Sequence, residues 1–146
     1  MTPLNNDDAS NPTLRDLASE IGYVQIYWSF LESAMLAQLQ AAGVQVAKGP
    51  IISRWRIHMQ KQLSSKADLA VTASHLKAVE EVAAPRNLLA HGIQSVTADP
   101  WEKGSAVVAC AATDGSVHRL TVEMIRSLSE EIDRVRRLIT GQIAGL

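Results

Sequence analysis

The chain has 146 residues and a mass of 15.8 kDa, which suits one domain with a single hydrophobic core. Hydrophobic residues make up 47% and charged residues 20%, a balance typical of soluble globular proteins. The net charge of −1 excludes a basic field over the whole chain, so any nucleic-acid binding must come from a local patch. A single cysteine, Cys110, excludes an intramolecular disulfide and fits a reducing compartment.

The first segment, residues 1–13, is polar and is predicted to be a disordered leader. It lacks the basic-then-apolar order of a signal peptide, and no apolar run reaches the roughly 20 residues that span a bilayer. We therefore expect a cytoplasmic protein that does not bind membranes, with one helical domain over residues 14–146.

The first predicted helix begins at Leu14 and ends near Gly43. Its apolar residues recur at steps of three and four, as in a coiled coil: Leu14, Leu17, Ile21, Val24, Trp28, Leu31 and Met35. A second stripe consists of Tyr23, Tyr27, Phe30 and Ala34. Either the monomer buries both stripes, or the second one meets another chain.

The second predicted helix runs from Pro50 to about Leu63 and contains the densest basic stretch of the chain, with Arg54, Arg56, His58 and Lys61. A solvated helix surface and an RNA-facing patch both explain these residues. In the second interpretation Arg54 and His58 contact substrate, together with Glu32 of the first helix. Glu32 lies among apolar residues, and Arg86 is the arginine with which we expect it to pair.

The third predicted helix runs from about Asp68 to His91 and stops at Gly92. Pro85 lies inside this stretch and predicts either a kink or a new helix starting there. After Gly92 the spacing of the apolar residues no longer follows the period of a helix. Residues 105–112 and 117–120 are predicted to pair as a β-hairpin around the turn signal Asp114-Gly115.

The last predicted helix has Thr121 as its N-cap, Glu123 in its first turn, and an apolar stripe that runs to Ile139. The expected fold is all-α: an up-and-down bundle of about four main helices, with a short β-hairpin inserted before the C-terminal helix.

Three residues near the end of the third helix have side chains that can cut RNA without a metal. His91 can move protons near neutral pH, and Arg86 has a planar, permanently charged group that matches a phosphate. Asn87 can orient the imidazole or donate to an oxyanion. On a regular helix Asn87 and His91 project about 40° apart, whereas Arg86 and His91 project about 140° apart. The arginine must therefore reach round the helix or serve a second copy of the site.

The run Arg86-Asn87-Leu88-Leu89-Ala90-His91 resembles the signature of the HEPN superfamily of small helical RNases and nucleotide-binding proteins. The order of elements over residues 14–143 is similar too. The resemblance implies a homodimer in which two such helices form one composite, metal-independent endoribonuclease site that uses no cofactor. It also implies RNA as the substrate, with Arg86, Asn87 and His91 as catalytic residues. The biological role expected with this activity is that of a toxin or defence effector, with a cognate antitoxin protein as its partner.

Other readings of the same residues stay open. A histidine followed by glycine at a helix end is often only a cap. His118, at the end of a predicted strand, is by default an exposed turn residue, and an accessory substrate contact is the alternative. The four histidines and one cysteine show no zinc-ligand spacing, and the chain has no glycine-rich phosphate loop. The alternative function is a non-catalytic HEPN-like dimer that binds a nucleotide, an RNA or a protein. A third possibility is a bundle that assembles with a different protein.

Overall fold

The computed structural model describes residues 12–45, 48–63, 69–99, 101 and 106–144. In these ranges the elements are the helices α1 (Leu14–Ala41), α2 (Ile51–Leu63), α3 (Leu69–His91) and α4 (Val122–Ile139), and the strands β1 (Ile93–Thr97), β2 (Val107–Ala111) and β3 (Val117–Thr121). The chain is therefore mainly helical, with a small antiparallel sheet before the last helix. The predicted leader lies outside the described residues except for its last two positions.

Both ends of α1 follow from local side-chain and backbone chemistry. Thr13 and Asp16 form a reciprocal capping box, in which the Thr13 N–H donates to Asp16 Oδ2 at 2.7 Å and the Asp16 N–H donates to Thr13 Oγ1 at 3.3 Å. At the other end Gly43 has a φ of 71°, and the Val44 N–H donates to the Leu39 carbonyl at 2.9 Å. This Schellman arrangement confirms Gly43 as the residue that ends the helix.

Helix α3 continues without interruption through Pro85 and ends at His91. A new helix starting at Pro85, one of the two outcomes considered, is therefore wrong. The predicted start, Asp68, lies outside the described residues.

The strands form one antiparallel sheet in the order β1-β2-β3. The hairpin of β2 and β3 is confirmed, and its turn contains Gly115 with a φ of 85°. Strand β1 was not predicted. All five of its residues are exposed, and its register shifts between Ile93 and Ser95. Because neither face of this strand is buried, its sequence does not need the alternation of apolar and polar residues by which strands are predicted.

Helix α4 begins as predicted, because Thr121 Oγ1 accepts a hydrogen bond from the Met124 N–H at 3.2 Å. Its predicted apolar stripe is buried apart from the half-buried Leu128: Val122, Ile125, Ile132, Val135 and Ile139.

The chain divides into two compact units, one formed by residues up to Gln25 with Ala84–Ser129, and one formed by Ile26–Ala83 with the residues from Glu130 onward. The first unit contains the sheet, and its buried side chains include Leu17, Val24, Leu89, Val108, Cys110, Leu120 and Ile125. The second unit is helical, and its buried side chains include Trp28, Leu31, Met35, Leu39, Trp55, Val79, Ile132 and Val135.

A glutamine connects three helices of the second unit. Gln38 of α1 accepts a hydrogen bond from Trp55 Nε1 of α2 at 2.8 Å and donates one to the carbonyl of Ile139 of α4 at 2.6 Å. The first of these bonds satisfies the indole N–H of a fully buried tryptophan, which would be costly to leave unpaired.

The second apolar stripe of α1 is not buried within the monomer. In the second unit Phe30 of this stripe is 50% exposed, whereas Tyr27 and Ala34 are half-buried, and Tyr27 packs edge-on against Phe30 with ring centroids 6.0 Å apart. Tyr23, in the first unit, is also exposed. Burial of both stripes in one chain is therefore wrong, and contact with another chain stays a prediction. Among the described residues, no helix combines the length and apolar character that crossing a membrane needs.

Candidate functional site

The end of α3 lies directly against strand β2. Gly92 donates its N–H to the Leu88 carbonyl and accepts a hydrogen bond from the Ala111 N–H, both at 2.8 Å. A Cβ at position 92 would lie 2.5 Å from the Ala111 oxygen and 2.9 Å from the Leu88 oxygen. Glycine is required here because two backbone segments approach closely, and not because of a left-handed conformation.

This contact creates an open groove of about 770 Å³ within the first unit. One wall consists of the last two turns of α3, including Pro85, Asn87 and His91. The opposite wall consists of the hairpin, including Ala111, Thr113 and His118. Much of the remaining lining is apolar, with Ala84, Leu88, Ala112 and Leu120.

The motif residues meet at the α3 wall. Asn87 and His91 are both exposed and both line the groove, as expected from their spacing of four. Arg86 is half-buried with its Nε atom buried, and its backbone position does not face the groove. Its guanidinium nevertheless reaches the motif, because Arg86 Nη1 donates to Asn87 Oδ1 at 3.1 Å. The arginine thus orients the amide of a groove residue and brings positive charge beside it.

His118 is a further candidate, for which an accessory substrate contact stays a prediction. It lies on β3, is exposed, and lines the groove opposite α3. Ser116 Oγ lies 3.0 Å from His118 Nε2 and donates to Asp114 Oδ1 at 2.6 Å. The turn residues Asp114 and Ser116, four and two positions before His118, were the signal that could have indicated an anchored side chain rather than a mobile one.

Hydrogen bonding determines which nitrogen of His118 carries a proton. Hydrogen bonds from the Ser116 side chain and backbone lower the pKa of Asp114, and the nearby His118 lowers it further. Asp114 is therefore ionised at neutral pH, and it accepts the hydrogen bond that the Ser116 hydroxyl can donate. Ser116 Oγ must then accept from His118 Nε2–H, and neutral His118 keeps the lone pair of its Nδ1.

The buried Cys110 lies beside these groups without contributing a nucleophile. It pairs with Ile93 on one side and with His118 on the other in the sheet register. Burial raises the pKa of its thiol, so the reactive thiolate is scarce at neutral pH. Within the described ranges, no group of three histidine, cysteine, aspartate or glutamate side chains could hold a metal ion.

The three substrate contacts predicted outside the motif belong to the second unit. Glu32 borders a smaller cavity with Ser33 and Leu36. Arg54 donates to the Lys48 carbonyl at 3.3 Å, and His58 Nε2 lies 3.2 Å from Gln62 Nε2. The lining of the groove comes from first-unit residues, so a substrate role for Glu32, Arg54 and His58 stays a prediction, as does the pairing of Glu32 with Arg86.

The arrangement brings groups that can exchange protons together in one groove. An imidazole stands on each wall, a guanidinium-supported amide lies beside one of them, and the apolar lining can accept a base or a sugar. No family model matches this chain, and neither the curated proteins nor the solved structures with which it was compared show a significant similarity to it.

Proposed function

We propose that the protein is a metal-independent endoribonuclease of HEPN type. The single observation that carries this proposal is the placement of Asn87 and His91 side by side, exposed, on one groove wall, with the Arg86 guanidinium bonded to Asn87. RNA supplies its own nucleophile, the 2′-hydroxyl, so the protein must supply only proton transfer and phosphate stabilisation. In this mechanism His91 transfers protons, Arg86 stabilises the phosphate, and Asn87 orients the neighbouring groups.

A composite site in a homodimer is part of the proposal. The resemblance to HEPN proteins implies a second copy that supplies a complementary arginine and histidine, while within one chain Arg86 reaches round the helix to Asn87. Exposed apolar side chains, Ile26 and Phe30 among them, support a contact between chains. A toxin or defence effector with a cognate antitoxin is the biological role that we propose with it.

The test is cleavage of a labelled RNA in the presence of a chelator. His91→Ala should lower the cleavage rate by about 100-fold or more, since general acid–base catalysis contributes about that much. Arg86→Ala should lose cleavage and also weaken RNA binding.

Two matched substitutions control for general damage. His75→Ala removes a half-buried histidine of the same helix, and Arg137→Ala removes an exposed arginine of α4. Both should cut RNA at the wild-type rate. Full activity of His91→Ala in a folded protein would refute the assignment.

A second candidate is a non-catalytic module that binds a nucleotide in the same groove. The observation that favours it is the largely apolar lining together with a net charge of −1, since a general RNase benefits from a basic channel. Nucleotide binding without any cleavage of RNA would select this candidate.

A further inference from the structure

We propose that His118 is the general acid of the groove and forms, with His91 of the same chain, a two-histidine site for a phosphodiester, so that the acid comes from the same chain and not from the histidine of a second copy. The inference rests on the proposed function, which it deepens by adding a residue outside the Arg-Asn-His motif. It is carried by the position of both imidazoles on one groove and by the anchoring of one of them through Ser116 to Asp114.

The sheet register places the His118 backbone two strands away from β1, which follows α3 directly. Ile93, Cys110 and His118 lie in line across β1, β2 and β3. Because neighbouring strands are about 4.8 Å apart, the His118 backbone lies about 10 Å from that of Ile93, two residues after His91. His91 and His118 both line one groove of about 770 Å³, which is large enough for a phosphate group.

The hydrogen bonds assign different roles to the two rings. When His118 is cationic, it directs its Nε2–H to Ser116, whose hydroxyl donates to the Asp114 carboxylate. Its Nδ1–H then remains for the substrate. His91 borders the same groove beside Asn87 of the preceding turn, and it takes the role of the base.

The reaction balances with these two groups alone. His91 takes the proton of the 2′-hydroxyl while the 2′-oxygen forms a bond to phosphorus. The bond from phosphorus to the 5′-oxygen breaks, and His118 gives its Nδ1 proton to that oxygen. The products are a 2′,3′-cyclic phosphate and a 5′-hydroxyl, with His91 protonated and His118 neutral, and exchange with water restores both rings.

The first test is independent of cleavage. Uridine 3′-monophosphate is added to the full chain, and the imidazole resonances of the histidines are followed by NMR. Single substitutions identify each resonance. The resonances of His91 and His118 should move with the same half-saturation concentration, while that of His75 in the second unit stays in place. His118→Ala should weaken nucleotide binding about tenfold, as expected for the loss of a charge-assisted hydrogen bond.

The outcomes separate this inference from the proposed function. If His91 moves and His118 does not, or if neither moves, the two-histidine site is refuted, whether or not the protein cuts RNA. If both move and the wild type leaves RNA intact, the site stands as a phosphate site, and both the ribonuclease function and the acid role of His118 are refuted.

The second test identifies the acid in a protein that does cut RNA. His118→Ala should lower the rate on RNA about 100-fold or more. On uridine 3′-(4-nitrophenyl phosphate) it should lower the rate less than about tenfold, because 4-nitrophenolate leaves without a proton. His91→Ala should lower the rate by the same factor, relative to the wild type, on both substrates. Equal losses for His118→Ala on the two substrates would overturn its role as the acid.

Discussion

At the scale of single residues, short hydrogen bonds determine the charge of the side chains that matter. Asp114 and Asp16 are both exposed, and both have a pKa below the ordinary value because a neighbouring hydroxyl and backbone N–H donate to the carboxylate. In one case the effect anchors His118, and in the other it caps α1.

The cap of α1 predicts a pH dependence of stability. Hydrogen bonds from Thr13 stabilise ionised Asp16 in the folded state, so its contribution to the free energy of unfolding is complete above the ordinary pKa of 3.8 and is lost as the pH falls through the lower, folded value. Asp16→Asn should therefore be less stable than the wild type at pH 6, and this difference should shrink below about pH 4. Urea unfolding at several pH values measures it. A difference that stays constant down to pH 2 would contradict this origin.

At the scale of elements, sequence signals within a few residues were sufficient to predict several helix ends and the hairpin turn. The turn of the hairpin, the cap of α4 at Thr121 and the stop of α1 at Gly43 were all predicted, because each depends on local backbone and side-chain chemistry. Strand β1 could not be predicted in this way. Its residues are exposed, and pairing with β2, a partner more than ten residues away along the chain, is what makes it a strand.

Contact between α3 and β2 predicts a specific sensitivity at Gly92. Gly92→Ala would place a methyl group against two backbone oxygens that cannot move independently, so we expect a loss of about 1–3 kcal/mol in the free energy of unfolding. Gly22→Ala is the matched control, because a Cβ there meets nothing within 4 Å and α1 continues on both sides. It should be neutral or stabilise the protein by up to about 1 kcal/mol. Equal effects of the two substitutions on urea unfolding would contradict the close approach.

At the scale of the whole molecule, the proposed homodimer predicts a measurable mass. Light scattering should give twice the 15.8 kDa of one chain. Phe30→Lys should lower the dimer fraction, because it places a charge in the exposed apolar stripe of α1. Lys77→Ala changes an exposed residue of α3 and should leave the mass unchanged. A wild-type protein that stays monomeric at all concentrations would refute the homodimer and leave the two-histidine site within one chain untouched.

The sequence alone determined the helices, the hairpin, most of their ends, and the spacing that puts Asn87 and His91 on one helix face, because these features depend on periodicity and on contacts within a few residues. Only the tertiary structure decided that His118 lines the same groove as Asn87 and His91, and that two backbone segments approach closely at Gly92. It also decided that part of the second stripe of α1 stays exposed. The reason is physical: strand pairing and the packing of a helix end against a sheet join residues far apart in the chain, and a local sequence pattern does not specify which distant residues pair.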